Sequence, residues 1–433
     1  MYSVSERVFE TRCLSSLSKV FADEELLDES FSKASALREE TYSFQVAFRS
    51  NQLIKRIRVS VHAGELGDVL VRKVGLVPSE LPCYHDHDND ILRTMPGLYP
   101  DPLYPIDDNS GVVAFPNQWR AIWVTIKISR EQPAGSYPVE VLFNAEFGEL
   151  LGQEIFTLEV IGACLPEQKL IHTEWFYADC LATWYDVKVF SEEHWKWIET
   201  YVENAANHGI NMILTPIFTP ALETEIGHER PTVQLIDVKK EGDQYSFDFH
   251  KLDRWIELCQ CKGIHYFEFA HLFTQWGAKH APKIIAEENG ESKQIFGWDT
   301  DALGTDYRNF LAQFLPALTH YLENHQLQSN VYFHISDEPD KMDLDHYKTV
   351  SQFVRSFILD YPVIDALSDY EFYQIGTVTN PVPSNDHINY FLEQQVKDLW
   401  TYYCCGQYKG VSNRFFQYAF HAKQNYRDTV IQV

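Results

Sequence analysis

The run "CLPEQKLIHTEWFYAD", residues 164–179, is where the chain changes rhythm. Before it, apolar and polar residues alternate with a period of two, the pattern of half-buried strands. After it, short apolar segments take turns with long amphipathic segments of helical period. Strand and helix alternating in that way build an α/β fold with parallel strands. The 433 residues are therefore read as two domains, 1–165 and 166–433.

Outward toward the N-terminus the β pattern is regular. "TYSFQVAFRS" (41–50), "LIKRIRVSVH" (53–62), "QWRAIWVTIKIS" (118–129), "GSYPVEVLFNA" (135–145) and "EIFTLEVIG" (154–162) read as strands punctuated by turn residues. Strands at this spacing suggest a β-sandwich. A long irregular loop, 81–111, interrupts them and is too rich in Pro and Asp for a plain hairpin connection. Within it "HDHDND" (85–90) offers metal-ligand residue types, but its spacing matches no closed tetrahedral site, so a solvated polar loop is expected. The "GLYPDPLYP" part is a candidate to reach over the neighbouring domain.

Toward the C-terminus, strands are expected at 170–179, 209–218, 264–273, 331–339, 363–369, 377–384 and 400–406. Helices are expected at 191–208, 249–263, 306–325, 344–358 and 388–399, with Ser191 as an N-cap, a glycine stop at Gly263 and a kink at Pro316. Seven β segments of an expected eight point to a (β/α)8 barrel of the TIM type. A doubly wound open sheet is the alternative, but no glycine-rich dinucleotide fingerprint follows the first strand.

Composition narrows the function. The net charge of −26 repels nucleic acid and anionic membranes, so neither is expected as a partner. No apolar run is long enough to span a bilayer and the N-terminus lacks the apolar core of a signal peptide, so a cytoplasmic location is expected. The eight cysteines lack paired or zinc-type spacing, which suits reduced thiols and no metal or organic cofactor. Aromatics make up 14% of the chain; most fill cores, and some are candidates to stack on sugar rings.

A barrel places its chemistry at the C-terminal strand ends. Those ends are rich in acids and aromatics and poor in Lys and Arg, which fits a neutral polyhydroxylated substrate better than a phosphorylated one. The sharpest feature is "VYFHISDEPD" (331–340), an apolar run that stops at two adjacent carboxylates, Asp337 and Glu338. A structural ion pair or helix cap would also accommodate them. Acids at the mouth of a buried strand, however, have their pKa raised toward the range a general acid needs. Glycosidases usually set two acids on opposite sides of the scissile bond, which neighbours in sequence cannot do. An adjacent pair suits substrate assistance: the 2-acetamido oxygen attacks the anomeric carbon, one acid orients the acetamido N–H and the other protonates the leaving oxygen.

The motifs "HISDEP" (334–339), "HLFTQWGAKHAPKI" (271–284), "FGWDTDA" (296–302), "PGLYPDPL" (96–103), "WTYYCC" (400–405) and "NRFF" (413–416) together resemble glycoside hydrolase family 123, the DUF4091 family. The resemblance implies a β-sandwich followed by a (β/α)8 barrel, and a retaining, substrate-assisted glycosidase removing β-linked N-acetylhexosamine, with N-acetylgalactosamine the expected sugar. It implies that Asp337 orients the acetamido group and Glu338 is the general acid/base. By their placement at strand ends and in these motifs, Trp175, Tyr177, His271, Trp276, His334, Tyr403 and Arg414 are the candidate sugar-binding residues. The expected partner is a glycan or glycoconjugate with a terminal N-acetylhexosamine; oligomeric state is not legible. The tail "QYAFHAKQNYRDTVIQV" (417–433) carries no eighth strand, so a C-terminally truncated barrel is expected. That motivates an alternative, a non-catalytic carbohydrate-binding protein. A further alternative is a conventional nucleophile, Glu174 or Asp369.

Overall fold

Two sheets in the first half of the chain are sorted by simple alternation. The structure is a computed structural model and describes residues 8–83, 85, 92–222, 224–339, 341–367, 369–378, 380–384 and 387–402. These fold as two compact units, one ending at Glu167 and one starting at Gln168.

The first unit runs β1 (Phe9–Ser15), β2 (Lys33–Arg38), β3 (Thr41–Ser50), β4 (Ile54–His62), β5 (Asp68–Ser79), β6 (Gly97–Pro105), β7 (Val112–Ala114), β8 (Arg120–Lys127), β9 (Gly135–Asn144) and β10 (Leu150–Cys164). One five-stranded sheet has the order β1-β3-β8-β5-β6, the other β2-β10-β9-β4-β7. Every second residue of β9 (Val139, Val141, Phe143) and β10 (Phe156, Leu158, Val160) joins those of β3 and β8 in one apolar core. Phe44 stacks on Phe156 there, with ring centroids 4.1 Å apart. Strand β3 is buried on both faces, because Leu14, Val20 and Trp119 cover Ala47 on the other side. The Gln45 amide, buried on that face, donates to the carbonyls of Ser15 and Ser18.

The structure corrects the reading of 81–111. "GLYPDPLYP" is strand β6, paired with β5 inside its own sheet. Its three prolines are tolerated because the strand lies at a sheet edge, where a missing N–H costs no ladder bond. Of "HDHDND" only His85 lies among the described residues.

The second unit runs β11 (Thr173–Glu174), α1 (Ala178–Trp184), α2 (Glu192–Ala206), β12 (Met212–Thr215), β13 (Asp237–Glu241), β14 (Gln244–Asp248), α3 (His250–Cys261), β15 (Tyr266–Phe269), β16 (Ile284–Glu288), β17 (Glu291–Phe296), α4 (Thr305–Asn324), β18 (Val331–Tyr332), α5 (Leu344–Arg355), β19 (Ile364–Ala366), α6 (Tyr370–Gln374), β20 (Asn380–Val382) and α7 (Ile388–Glu393). Strands β11, β12, β15 and β18 lie side by side in chain order, all parallel. The parallel pairing continues through Phe333 with Val363, β19 with β20, and Ser384 with Tyr402. Helices occupy the connections, and their apolar faces join the strands in one core that includes Trp255, Phe310 and Phe314. The Ser191 hydroxyl caps α2 by accepting from the His194 N–H, and Gly263 (φ +97°) follows α3. Helix α4 runs 20 residues through Pro316.

The parallel strands are shorter than the sequence periodicity suggests, two to four residues each, because single bridges and loop contacts continue the pairing beyond them. A second sheet was absent from the sequence reading. Hairpin β13–β14 leaves the C-terminal end of β12, hairpin β16–β17 leaves that of β15, and β13 pairs with β16 in parallel. Among the described residues no helix is long and apolar enough to cross a membrane, and no two of the six described cysteines form a disulfide.

Candidate active site

The chemistry collects where β15, β18 and β19 end. Each of these buried segments carries one ionisable residue that an apolar strand has no use for: Glu268, His334 and Asp365, all 3% exposed or less. Buried charges require partners, and these three partner one another. His334 Nε2 lies 2.5 Å from Glu268 Oε1, and its Nδ1 lies 3.2 Å from Asp365 Oδ1. Glu268 also accepts from the Trp175 indole at 2.9 Å and from the Thr173 hydroxyl. Asp365 accepts from the Ile335 N–H at 3.0 Å and from the Tyr347 hydroxyl.

The electrostatics follow from that arrangement. Burial alone would lower the His334 pKa, but hydrogen bonds and charges from Asp365 and Glu268 outweigh it and push it up to about 9. Burial would raise Glu268; the His334 charge and the hydrogen bonds from His334, Thr173 and Trp175 bring it below the ordinary carboxylate range. Burial pushes Asp365 up, against the same imidazole and the Tyr347 and Ile335 donors. His271 stacks on His334 with centroids 4.1 Å apart. Burial and the His334 charge both hold its pKa well below the usual value, so it is neutral. Among the described residues neither His271 ring nitrogen has a hydrogen-bond partner.

His271, His334 and Asp365 bring ligand-type atoms within 4.8 Å of one another. Both His334 nitrogens are already engaged, however, and the two imidazole planes are only 23° from parallel. A metal ion lies in the plane of each ring that binds it, and rings stacked in this way share no such point within bonding distance. As arranged, Glu268, His334 and Asp365 form a hydrogen-bonded ladder, with His271 stacked on it.

Three residues after His334 the paired acids begin. Backbone bonds lace the segment to both neighbours. On one side Leu272 N–H donates to His334 O (3.3 Å), Phe273 N–H to Ile335 O (3.1 Å) and Trp276 N–H to Asp337 O (3.0 Å). On the other, Glu338 N–H donates to Ala366 O at 3.1 Å. Ser336 Oγ adds a bond to Thr274 O at 2.8 Å. Asp337 is half-buried and Glu338 exposed. The Tyr402 hydroxyl donates to Glu338 Oε1 at 2.7 Å. Glu338 holds φ +40°, and Trp276 and Ala278 hold +60° and +57°. Left-handed backbone at residues with a Cβ is costly, and such strain gathers at functional sites.

The remaining sequence candidates divide. Trp175, His271 and His334 share the Glu268 ladder, the Trp175 ring standing edge-on to His271 at 5.6 Å. Trp276 is half-exposed and tied through its backbone to Asp337. Tyr177 belongs to another group, with the Arg230 guanidinium 4.0 Å over its ring and Arg230 paired to Asp179 at 2.9 Å. Tyr403 and Arg414 lie outside the described residues. Glu174 points to the opposite face from Thr173, as alternation requires, and lies 3.6 Å from exposed His172. Asp369 caps α6 and pairs with Lys341 at 3.0 Å. Glu268, Asp365 and Tyr347 are additions to the candidates read from sequence, and Tyr402 was read there only as a residue of the last strand end.

A model of the glycoside hydrolase 123 catalytic domain matches residues 175–426, more than half of the chain. The chain belongs to glycoside hydrolase family 123. The family 123 match begins at Trp175 and takes in the ladder and the acid pair. Among solved structures, a family 123 glycoside hydrolase from Clostridium perfringens, described for glycolipid glycan hydrolysis, is similar over 91% of this chain and 72% of its own. Its identity is 16% and the TM-score 0.66, a likeness of fold. A calcium-binding mutant of Bacteroides uniformis β-glucuronidase 2 is matched over 83% of this chain and 37% of its own, at 9% identity and TM-score 0.27. No curated protein matches.

Proposed function

We propose that this glycoside hydrolase is an exo-acting, retaining enzyme that releases β-linked N-acetylhexosamine, with N-acetylgalactosamine the preferred sugar, by substrate-assisted catalysis. The observation that carries the reading is the placement of Asp337 and Glu338, adjacent at the end of a strand, with Glu338 exposed on a strained turn and bonded to Tyr402. The parallel run from β11 to Tyr402 is read as seven neighbouring strands of a (β/α)8 barrel. The two sheets of the first unit are read as a β-sandwich, with the domains at 1–165 and 166–433.

The steps are these. The acetamido carbonyl oxygen attacks the anomeric carbon as the bond to the leaving oxygen breaks, and Glu338 gives that oxygen its proton. Asp337 accepts the acetamido N–H and balances the positive charge that spreads over the oxazolinium ring. Water then attacks the anomeric carbon, Glu338 takes its proton and the ring reopens, leaving the β configuration unchanged. Trp175, Trp276, Tyr403 and Arg414 are proposed to line the sugar. Neutral His271 is buried, and its ring nitrogens, without a partner among the described residues, are proposed to hydrogen-bond a hydroxyl that reaches them. The printed substrate class of the Clostridium protein, glycolipid glycans, makes a glycolipid a reasonable natural substrate.

The test compares nitrophenyl β-N-acetylgalactosaminide, β-N-acetylglucosaminide and β-galactoside with the wild type and Glu338→Gln. The reading expects turnover of the acetamido sugars only, and a loss of about 10²–10⁴-fold in the variant, the usual worth of a general acid. Equal turnover of the galactoside, or full activity of Glu338→Gln, defeats it.

A further inference from the structure

Beneath the acid pair lies a side-chain ladder to which the hydrolytic steps assign no task. His334, three residues before Asp337, bridges Glu268 of β15 and Asp365 of β19. The backbone of His334 itself and of Ile335, Asp337 and Glu338 is tied to the same two neighbours, through Leu272, Phe273 and Trp276 on one side and Ala366 on the other. Side-chain and backbone ties therefore fix one and the same spacing. Both ring nitrogens are engaged, which leaves it no group to offer a sugar.

We propose that His334 is a positioning residue: by tying Glu268 to Asp365 it sets the separation of the flanking strand ends, and so the place of Asp337 and Glu338, without touching substrate. The proposal rests on the hydrolase reading above and takes the place of the sugar contact expected of His334 from its strand-end position.

Hydrogen-bond chemistry sets the working form of the bridge. Two carboxylate acceptors need two N–H donors, and only the doubly protonated imidazole has both. Every group around it agrees. Glu268 is held by Thr173 and Trp175 at one end, and Asp365 by Tyr347 of α5 and the Ile335 amide at the other. Neutral His271 covers one ring face. Removing the proton leaves two buried carboxylates competing for one N–H, and one arm of the bridge must release.

The experiment uses the full chain with 15N-labelled histidine. Imidazole nitrogen shifts are followed from pH 6 to 10 beside kcat and KM on nitrophenyl β-N-acetylgalactosaminide. His334 is expected to stay doubly protonated through pH 8 and to titrate near 9, with kcat falling over the same interval and KM nearly constant. Asp365→Asn, or Glu268→Gln if that variant fails to fold, is expected to move the titration and the alkaline limb of kcat down together. A His334 midpoint near 6.5 overturns the proposal, as does a kcat indifferent to the loss of its proton. Should the wild type bind the thiazoline analogue of N-acetylgalactosamine without turnover, its affinity replaces kcat as the readout. Neither turnover nor binding at pH 7 defeats the hydrolase reading itself, and this proposal with it.

Discussion

Glu338 holds a backbone conformation that only glycine adopts freely, φ +40°. The left-handed region costs a residue with a Cβ about 1–2 kcal/mol. Glu338→Gly is therefore expected to melt no lower than Glu338→Gln, although both lose activity; a glycine variant melting several degrees below the glutamine variant contradicts strain at this turn. His271 makes a second prediction. His271→Phe keeps a flat ring on His334 and removes both ring nitrogens. If those nitrogens serve the sugar, KM rises while stability changes by less than about 1.5 kcal/mol, as for other volume-conserving core swaps. An unchanged KM at unchanged stability assigns His271 to packing alone. The acid pair was legible at this scale because an apolar run stops so abruptly at Asp337. Glu268 was not: one acid inside "YFEF" gains its meaning from His334, 66 residues away.

At the scale of elements, the loop after β15 locks onto the segment after the acid pair. Gly277 has φ +101°, and a Cβ there would stand 2.5 Å from an Asp343 carboxylate oxygen. Asp343 pairs with Lys279 at 2.9 Å, and the Ala278 carbonyl accepts from His346 at 3.0 Å. Gly277→Ala is expected to lower both the thermal midpoint and kcat/KM, because Trp276 and Asp337 share this anchorage. Asp343→Gly in the same chain should restore part of the loss by clearing space, since an alanine Cβ would still stand 2.8 Å away, the φ strain remaining. No recovery in the double variant contradicts the contact. Legibility varied among elements for the same kind of reason. Strand β3 and helix α2 advertise themselves through alternation and a serine cap. The hairpin β16–β17 carried a signal too, Asn289-Gly290 at φ +55° and +79°, a two-residue turn of the type hairpins favour. Its strands are charged and half-exposed, so they read as loop. The pairing of β13 with β16 joins two separate insertions, and nothing local encodes it.

For the molecule as a whole, the buried ladder predicts how stability depends on pH. His334 has a folded pKa of about 9 against about 6.5 in an unfolded chain. A group raised on folding contributes stability that is complete below the unfolded value and disappears as pH rises through the folded one. Denaturant unfolding of the wild type should thus show stability declining between pH 7 and 10. His334→Gln should be less stable at pH 6 and decline less steeply, the buried Cys13 and Cys259 thiols acting alike in both proteins; parallel curves for the two proteins contradict a charged His334. In the proposed reaction the acetamido group acts as nucleophile while Asp337 holds it. The most direct measurement is kcat/KM on nitrophenyl β-N-acetylgalactosaminides bearing none, one, two and three fluorines on the acetyl group. A steep fall with each fluorine is expected, as the attacking carbonyl oxygen loses electron density. A rate indifferent to fluorination contradicts it.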